Sequence, residues 1–234
     1  MIFVTAEIGC NWLGSLSALQ NIITACKLAG VNAVKFQALS NKILSRHKEI
    51  PRYKLGSITF ENIKQVDELC KRNKIEWYCT VTYPKAVEML EPYVNKYKIR
   101  CLDSENKKLK DACFNTGKTV FISSTYPHKH NSARIKNLYC IPKYPTEYSD
   151  YNFNLMDQFD GFSNHCENPL AILTAVERGA KYIEMHVTPS KDIFLIDNKV
   201  SFSFVEIFEI MKWVRKYENW NNTTSEINKP TISE

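Results

Sequence analysis

The 234-residue chain has no Cys-x-x-Cys pair, no run of basic residues and no apolar stretch long enough to span a membrane. Each absence removes a class of function. The eight cysteines (Cys10, Cys26, Cys70, Cys79, Cys101, Cys113, Cys140 and Cys166) are scattered. That spacing suits neither a zinc cluster nor the disulfide framework of a small secreted domain, and it reads as reduced thiols in a cytoplasm. Lys and Arg number 31 against 25 acidic residues, a formal charge of +6, but the excess is dispersed. It reads as solubility charge and implies neither a nucleic-acid nor a membrane-surface partner. The apolar start, MIFVTA, has no basic region or cleavage site and soon reaches Glu7, so it reads as a buried strand and not a secretion signal.

What is present is ordinary globular composition: 44% hydrophobic, 24% charged and 12% aromatic residues, which excludes disorder and supplies one sizeable core. Short β-branched or aromatic runs alternate with helical patterns to about residue 217, the mark of parallel α/β structure. Strands are expected at 2–7, 33–37, 76–80, 97–101, 119–123, 138–141, 161–164 and 182–186, the eight that close a (β/α)₈ barrel. Helices are expected at 16–29, 60–73, 84–94, 107–116, 169–178 and 204–217, with Gly30, Gly117 and Gly179 in C-cap positions. Residues 126–137 (YPHKHNSARIKN) lack an apolar period, so the fifth crossover should be a shortened loop. Residues 40–59 should form a long loop over the barrel mouth. The expectation is a single (β/α)₈ TIM barrel over 1–217, followed by a flexible polar tail over 218–234.

In such a barrel the C-terminal ends of the strands surround the site, because apolar layers fill the interior elsewhere. In order they carry Glu7, Lys35 with Gln37, Thr80, Lys98, Ser123, Tyr144 just past the sixth strand, Ser163 with His165, and Glu184 with His186. Lys35 and Lys98 lie in strands covered on both faces, so each needs an anion or a carboxylate partner. A lone strand-end histidine is usually a hydrogen-bonded core residue. Two of them, His165 and His186, on adjacent strands leave a shared metal ion open as well. His128 and His130 read as surface residues of the fifth crossover, and His47 has no partner in the pattern.

The segments AEIGCNWLG, AVKFQ, YPT, GFSNH and EMHVT, in this order, resemble the N-acetylneuraminate (sialic acid) synthase family. The resemblance covers residues 2–217. It implies condensation of phosphoenolpyruvate with an amino-sugar aldehyde, giving a 2-keto-3-deoxy sugar acid and phosphate, with a divalent metal, Mn²⁺ or else Mg²⁺. By the same resemblance His165 and His186 hold the metal and Glu7 is the catalytic carboxylate. Lys35, Lys98, Thr80, Ser123, Ser163 and Tyr144 contact phosphoenolpyruvate, and Asp197 grips the sugar; Gln37 and Glu184 stand at the same strand ends and are counted with the substrate-binding set. Two other classes stay open: a non-catalytic barrel that binds an anion or a partner protein, and another phosphoenolpyruvate-using barrel synthase.

Several positions depart from the family pattern. Asn-His-Asn-Gly reads Asn11, Trp12, Leu13, Gly14, and Ser-Asp-His reads Ser163, Asn164, His165. A serine that touches phosphoenolpyruvate is Cys101, a phosphate-side asparagine is Pro142, and a lysine before the second metal histidine is Met185. The antifreeze-like C-terminal domain that lends the neighbouring subunit an arginine has no counterpart in these residues. A homodimer, or a separate chain replacing that domain, is the partner this implies. Trp12 and Leu13 are expected to make one side of the mouth apolar.

Overall fold

The computed structural model describes residues 1–45, 50–130, 132–192 and 194–227, so His47 lies outside the described residues. Eight parallel strands follow chain order around one sheet: β1 (Phe3–Gly9), β2 (Ala33–Ala38), β3 (Glu76–Val81), β4 (Lys96–Ile99), β5 (Thr119–Ser124), β6 (Ile135–Tyr139), β7 (Gly161–Ser163) and β8 (Tyr182–Val187). β8 pairs with β1 and closes the barrel. A two-residue strand, β9 (Ser201–Phe202), lies beside β8. The expected (β/α)₈ barrel is therefore the fold.

Period-two alternation builds its layers. In β1, Val4, Ala6 and Ile8 pack outward while Thr5 and Glu7 point in, and all five are buried. The N-terminal end is floored by rings, with Phe121 centred 5.5 Å from Tyr78 and 5.2 Å from Tyr182. Thr5 Oγ1 lies 2.8 Å from Tyr78 Oη just above that floor. Outside, α1 (Leu16–Ala29) starts where Ser15 accepts a hydrogen bond from the Ala18 amide and stops at Gly30.

The fifth crossover carries no helix among its described residues, as its polar composition implies. Asn137, in the middle of β6, ties it down by donating from Nδ2 to the His128 carbonyl at 2.7 Å. The sixth crossover, where the sequence pattern places no helix either, holds two 3₁₀ turns, Tyr148–Asp150 and Phe153–Gln158. Aromatic rings fill the space of a helix there: Phe159 lies tilted 5.2 Å from Tyr139, and Tyr151 meets Phe162 edge-on at 4.9 Å. The expected loop at 40–59 contains two short helices, α2 (Asn41–Leu44) and α3 (Ile50–Gly56). The remaining helices are α4 (Ile63–Arg72), α5 (Pro84–Leu90), α6 (Lys107–Asn115), α7 (Leu170–Glu177) and α8 (Phe204–Ile227). α8 runs past the boundary expected at 217, because extending a packed helix costs far less than starting one. Residues 228–234 lie outside the described residues.

Candidate active site

Strand register brings the polar strand ends to one level. Glu7 pairs with Lys35 on one side and with His186 on the other, Gln37 pairs with Thr80, Thr80 with Lys98, and Ser163 with Glu184. All twelve residues singled out in the sequence line a single cavity of about 370 Å³ at the C-terminal mouth, within the usual range for a small-ligand site. His128 and His130 are not among its walls. They sit on the outside, where His128 Nε2 is 3.6 Å from Glu105.

The depth of the cavity holds four alternating charges. Lys35 Nζ lies 2.5 Å from Glu7 Oε2 and 3.7 Å from Glu184 Oε1, while Lys98 Nζ lies 2.7 Å from Glu184 Oε2. Both lysines thus find carboxylate partners within the fold. Thr80 Oγ1 receives a bond from Lys35 at 2.6 Å, and Ser163 donates to Glu184 at 3.0 Å. Burial pushes the Glu7 carboxyl up, and the nearby Lys35 offsets this only in part. Glu184 is displaced the other way: burial would raise it, but Lys35 and Lys98 together hold it below the usual carboxylate range. Burial lowers the Lys98 ammonium, with Glu184 opposing. Gln37 Nε2 donates to Glu7 Oε1 at 2.8 Å and fixes its rotamer.

Nearer the mouth, the His165 and His186 rings lie with centroids 5.5 Å apart. Burial, reinforced by His186, drives His165 down to about 3, so its imidazole is neutral at physiological pH. Tyr144 Oη donates to Asp197 Oδ1 at 2.6 Å. The other oxygen, Asp197 Oδ2, is 3.7 Å from His186 Nδ1, and both atoms are buried without a hydrogen-bond partner among the described residues. The loop bearing Asp197 is held by Asn11, whose Oδ1 accepts from the Asp197 amide at 3.2 Å and whose Nδ2 donates to the Val187 carbonyl at 2.9 Å. Gly9, at φ +53°, is required twice over. A Cβ there would lie 2.9 Å from Asp197 Oδ2 and 3.1 Å from Glu7 Oε1, and its backbone conformation disfavours side chains.

Trp12 corrects the expectation of an apolar mouth. It is 1% exposed, joins the hydrophobic core and does not line the cavity. Its Nε1 donates to the Gly56 carbonyl at 2.8 Å, anchoring the segment that ends in α3. Gly56 packs so closely that a Cβ would come 2.5 Å from Cys10 Cα. A buried indole needs a partner for its N–H, and the carbonyl that supplies it stands 44 residues away. Leu13 is likewise absent from the cavity wall. The wall does include Arg100, Tyr53, Cys140 and Lys143, which the sequence reading passed over. For Arg100 the signal was available, since it stands two residues after Lys98 and thus on the same face of the strand.

A model of the NeuB family matches residues 22–226 of this chain. An uncharacterised protein of Methanocaldococcus jannaschii is 26% identical over 98% of this chain and 74% of its own length. Pseudaminic acid synthase of Campylobacter jejuni is 24% identical over 93% of this chain and 74% of its own. The sialic acid synthetase of Leptospira borgpetersenii, solved in complex with citrate, superposes with a TM-score of 0.84 at 23% identity, covering all of this chain and 87% of that one. At that identity the likeness to the solved structure is one of fold.

Proposed function

This chain belongs to the NeuB family, and we propose that it condenses phosphoenolpyruvate with an amino-sugar aldehyde to give a 2-keto-3-deoxy sugar acid and phosphate. The observation that carries this reading is the convergence of Lys35, Lys98, Glu7, His165, His186 and Asp197 on one cavity. Phosphoenolpyruvate bears about three negative charges and needs fixed cations and donors. The two lysines supply the cations. Burial shifts the Glu7 carboxyl upward, which makes its ionised form a stronger acceptor for a proton of the attacking water.

The carbon–carbon bond then forms between the enol carbon and the aldehyde carbon; water adds to the electron-poor carbon left behind, and phosphate departs from that carbon. Glu7, anchored by Gln37, accepts a proton of the water and returns it to the aldehyde oxygen, which becomes a hydroxyl, while the water's other proton leaves with the phosphate as the ketone forms. Asp197, with one oxygen held by Tyr144, offers the other to a sugar hydroxyl.

The site also suits a divalent cation. His165 is neutral, the two imidazoles are adjacent, and the buried His186 Nδ1 and Asp197 Oδ2 lack hydrogen-bond partners among the described residues. No cluster of three or more His, Cys, Asp or Glu side chains fit to hold a metal occurs among the described residues, so a cation here would keep open positions. His165 and His186 would hold it, and Mn²⁺ or Mg²⁺ would polarise the aldehyde oxygen when bound. A cytoplasmic setting accompanies this reading, supported by eight free thiols. Among the described residues no helix is long and apolar enough to cross a membrane.

The deciding experiment is phosphate release from phosphoenolpyruvate with Mn²⁺ and a panel of aldoses that includes N-acetylmannosamine. Release that requires an amino-sugar aldehyde is the expected result. Release only with a simple sugar phosphate would move the chain to another class of barrel synthase, and no release with any aldehyde would leave an anion-binding barrel.

Two measurements accompany it. Lys35→Ala should weaken phosphoenolpyruvate binding by about 1.5–3 kcal/mol, the range of a charge-assisted hydrogen bond; calorimetry on both proteins checks this. Mn²⁺ should raise the melting temperature, because binding to the folded state adds about 2.7 kcal/mol of stability at a hundredfold excess over Kd. His165→Ala should remove that rise, and an undiminished Mn²⁺ response in the variant would rule His165 out as a ligand.

A further inference from the structure

Two thiols reach the cavity from strands that are not neighbours. Cys101 opens a 3₁₀ turn, Cys101–Asp103, just past β4, and Asp103 holds that turn by accepting from Arg100 Nε. Cys140 stands directly after β6. The end of β5 lies between them and joins them: the Cys140 amide donates to the Ser124 carbonyl at 3.0 Å, and the next residue, Thr125, brings its Oγ1 to 4.0 Å from Cys101 Sγ. Both side chains line the cavity, and the two thiols, each free, are in hydrogen-bond contact with one another.

The pair differs from the remaining cysteines. Cys10, Cys26, Cys70, Cys79, Cys113 and Cys166 are buried away from the cavity, and burial pushes their thiols up. Cys101 is half-buried and moves the other way, to about 6. The Cys140 thiol donates to it, the Thr125 hydroxyl and amide and the Lys98 ammonium act in the same direction, and together they outweigh burial. A sulfur so surrounded is a thiolate at neutral pH, which is the nucleophilic form. Cys140 is 1% exposed and lies 3.8 Å from His165 Nδ1. A thiolate open to a cavity, with a second thiol against it, is the arrangement of a reversible oxidation site.

We propose that Cys101 and Cys140 are a peroxide-oxidised dithiol, and that their disulfide ties the Cys101–Asp103 turn to the end of β6 and stops turnover. The Cys101 sulfur attacks one oxygen of hydrogen peroxide and the O–O bond breaks. This leaves a sulfenic acid on Cys101 and a hydroxide, which takes up the proton that Cys101 had released. The Cys140 sulfur then attacks the Cys101 sulfur; the S–S bond forms as the S–O bond breaks, and hydroxide leaves with the Cys140 proton as water. Two electrons pass from the thiols to the peroxide, which ends as two waters. A small dithiol reverses the bond by exchange. The loss of turnover rests on the condensation reading, whereas formation of the disulfide does not.

The test treats the full chain with hydrogen peroxide, removes the excess with catalase, and follows with peptide mass spectrometry. Phosphate release is then measured with phosphoenolpyruvate, Mn²⁺ and whichever aldose of the panel supports it. The expected product is a Cys101–Cys140 cross-linked peptide. Release should fall by roughly 10²-fold, the loss that follows a displacement of about 1 Å within a site, and dithiothreitol should reverse both changes. Cys140→Ala should stop at a sulfenic acid on Cys101, captured by dimedone, and Cys101→Ser should give no cross-link at Cys140. Each variant is compared with its own reduced rate, and melting temperatures check that each is folded. A cross-link between other cysteines, or none at Cys101 in the unaltered chain, would overturn the proposal. So would a Cys101–Cys140 disulfide that leaves release unchanged. If the reduced chain releases no phosphate with any aldose, the condensation reading fails, and the oxidation site then stands or falls on the reversible cross-link and its loss in Cys101→Ser.

Discussion

Glu184→Ala should destabilise the protein by about 3–5 kcal/mol at neutral pH, the usual loss when one partner of a buried ion pair is removed. Glu184 is 4% exposed and answers both lysines, with Lys98 at 2.7 Å and Lys35 at 3.7 Å. Without it, the partner left to Lys98 among the described residues is Ser163 at 3.5 Å, and an ammonium so placed lacks compensation in a medium of low dielectric. Denaturant unfolding of the two proteins gives the difference. The double change Lys98→Met with Glu184→Leu should cost much less, because it removes both charges and keeps the volume. A double variant as unstable as the single one would show that the loss is one of packing and not of charge. The effect also has a sign in pH. Because Glu184 is held below the ordinary carboxylate value of about 4.3, its contribution is complete above that value and is lost as pH falls through the lower folded value. The gap between wild type and variant should therefore narrow on acidification.

Glu7→Gln should lower phosphate release by roughly 10²–10⁴-fold, the usual contribution of a general base, while leaving phosphoenolpyruvate affinity within a few fold. The amide has nearly the same shape and still faces Gln37, but it cannot take a proton from water. Lys35 retains Thr80 at 2.6 Å and Glu184 at 3.7 Å, so the anion site should survive. Steady-state phosphate release together with calorimetry separates the two effects. A variant that keeps more than a tenth of the wild-type rate would remove Glu7 from the proton relay.

The eight strands and the polar ring at their ends were legible in the sequence for one reason: both are written in short-range pattern. β-branched runs recur at crossover spacing, and a lysine inside AVKFQ contradicts an otherwise apolar strand. Features decided by distant partners were not legible. Trp12 looked like a mouth residue because the Gly56 carbonyl that receives its N–H lies far along the chain. The packing of the sixth crossover was not legible because Tyr151, Phe153 and Phe159 cover β6 and β7 without any period. Arg100 read as one more dispersed charge. Its position beside Ser123 depends on the register of β4 against β5, and its orientation depends on the turn that returns Asp103 to it.

The aromatic floor bears on traffic through the site. Tyr78, Phe121 and Tyr182 close the N-terminal end of the barrel, and Tyr78 and Phe121 are each 1% exposed, which leaves the cavity to be reached from the C-terminal mouth. On the condensation reading, a ligand seated against Lys35 and Lys98 lies deeper than an aldehyde held by Asp197 and Tyr144, so phosphoenolpyruvate should enter first; initial rates with both substrates varied check that order.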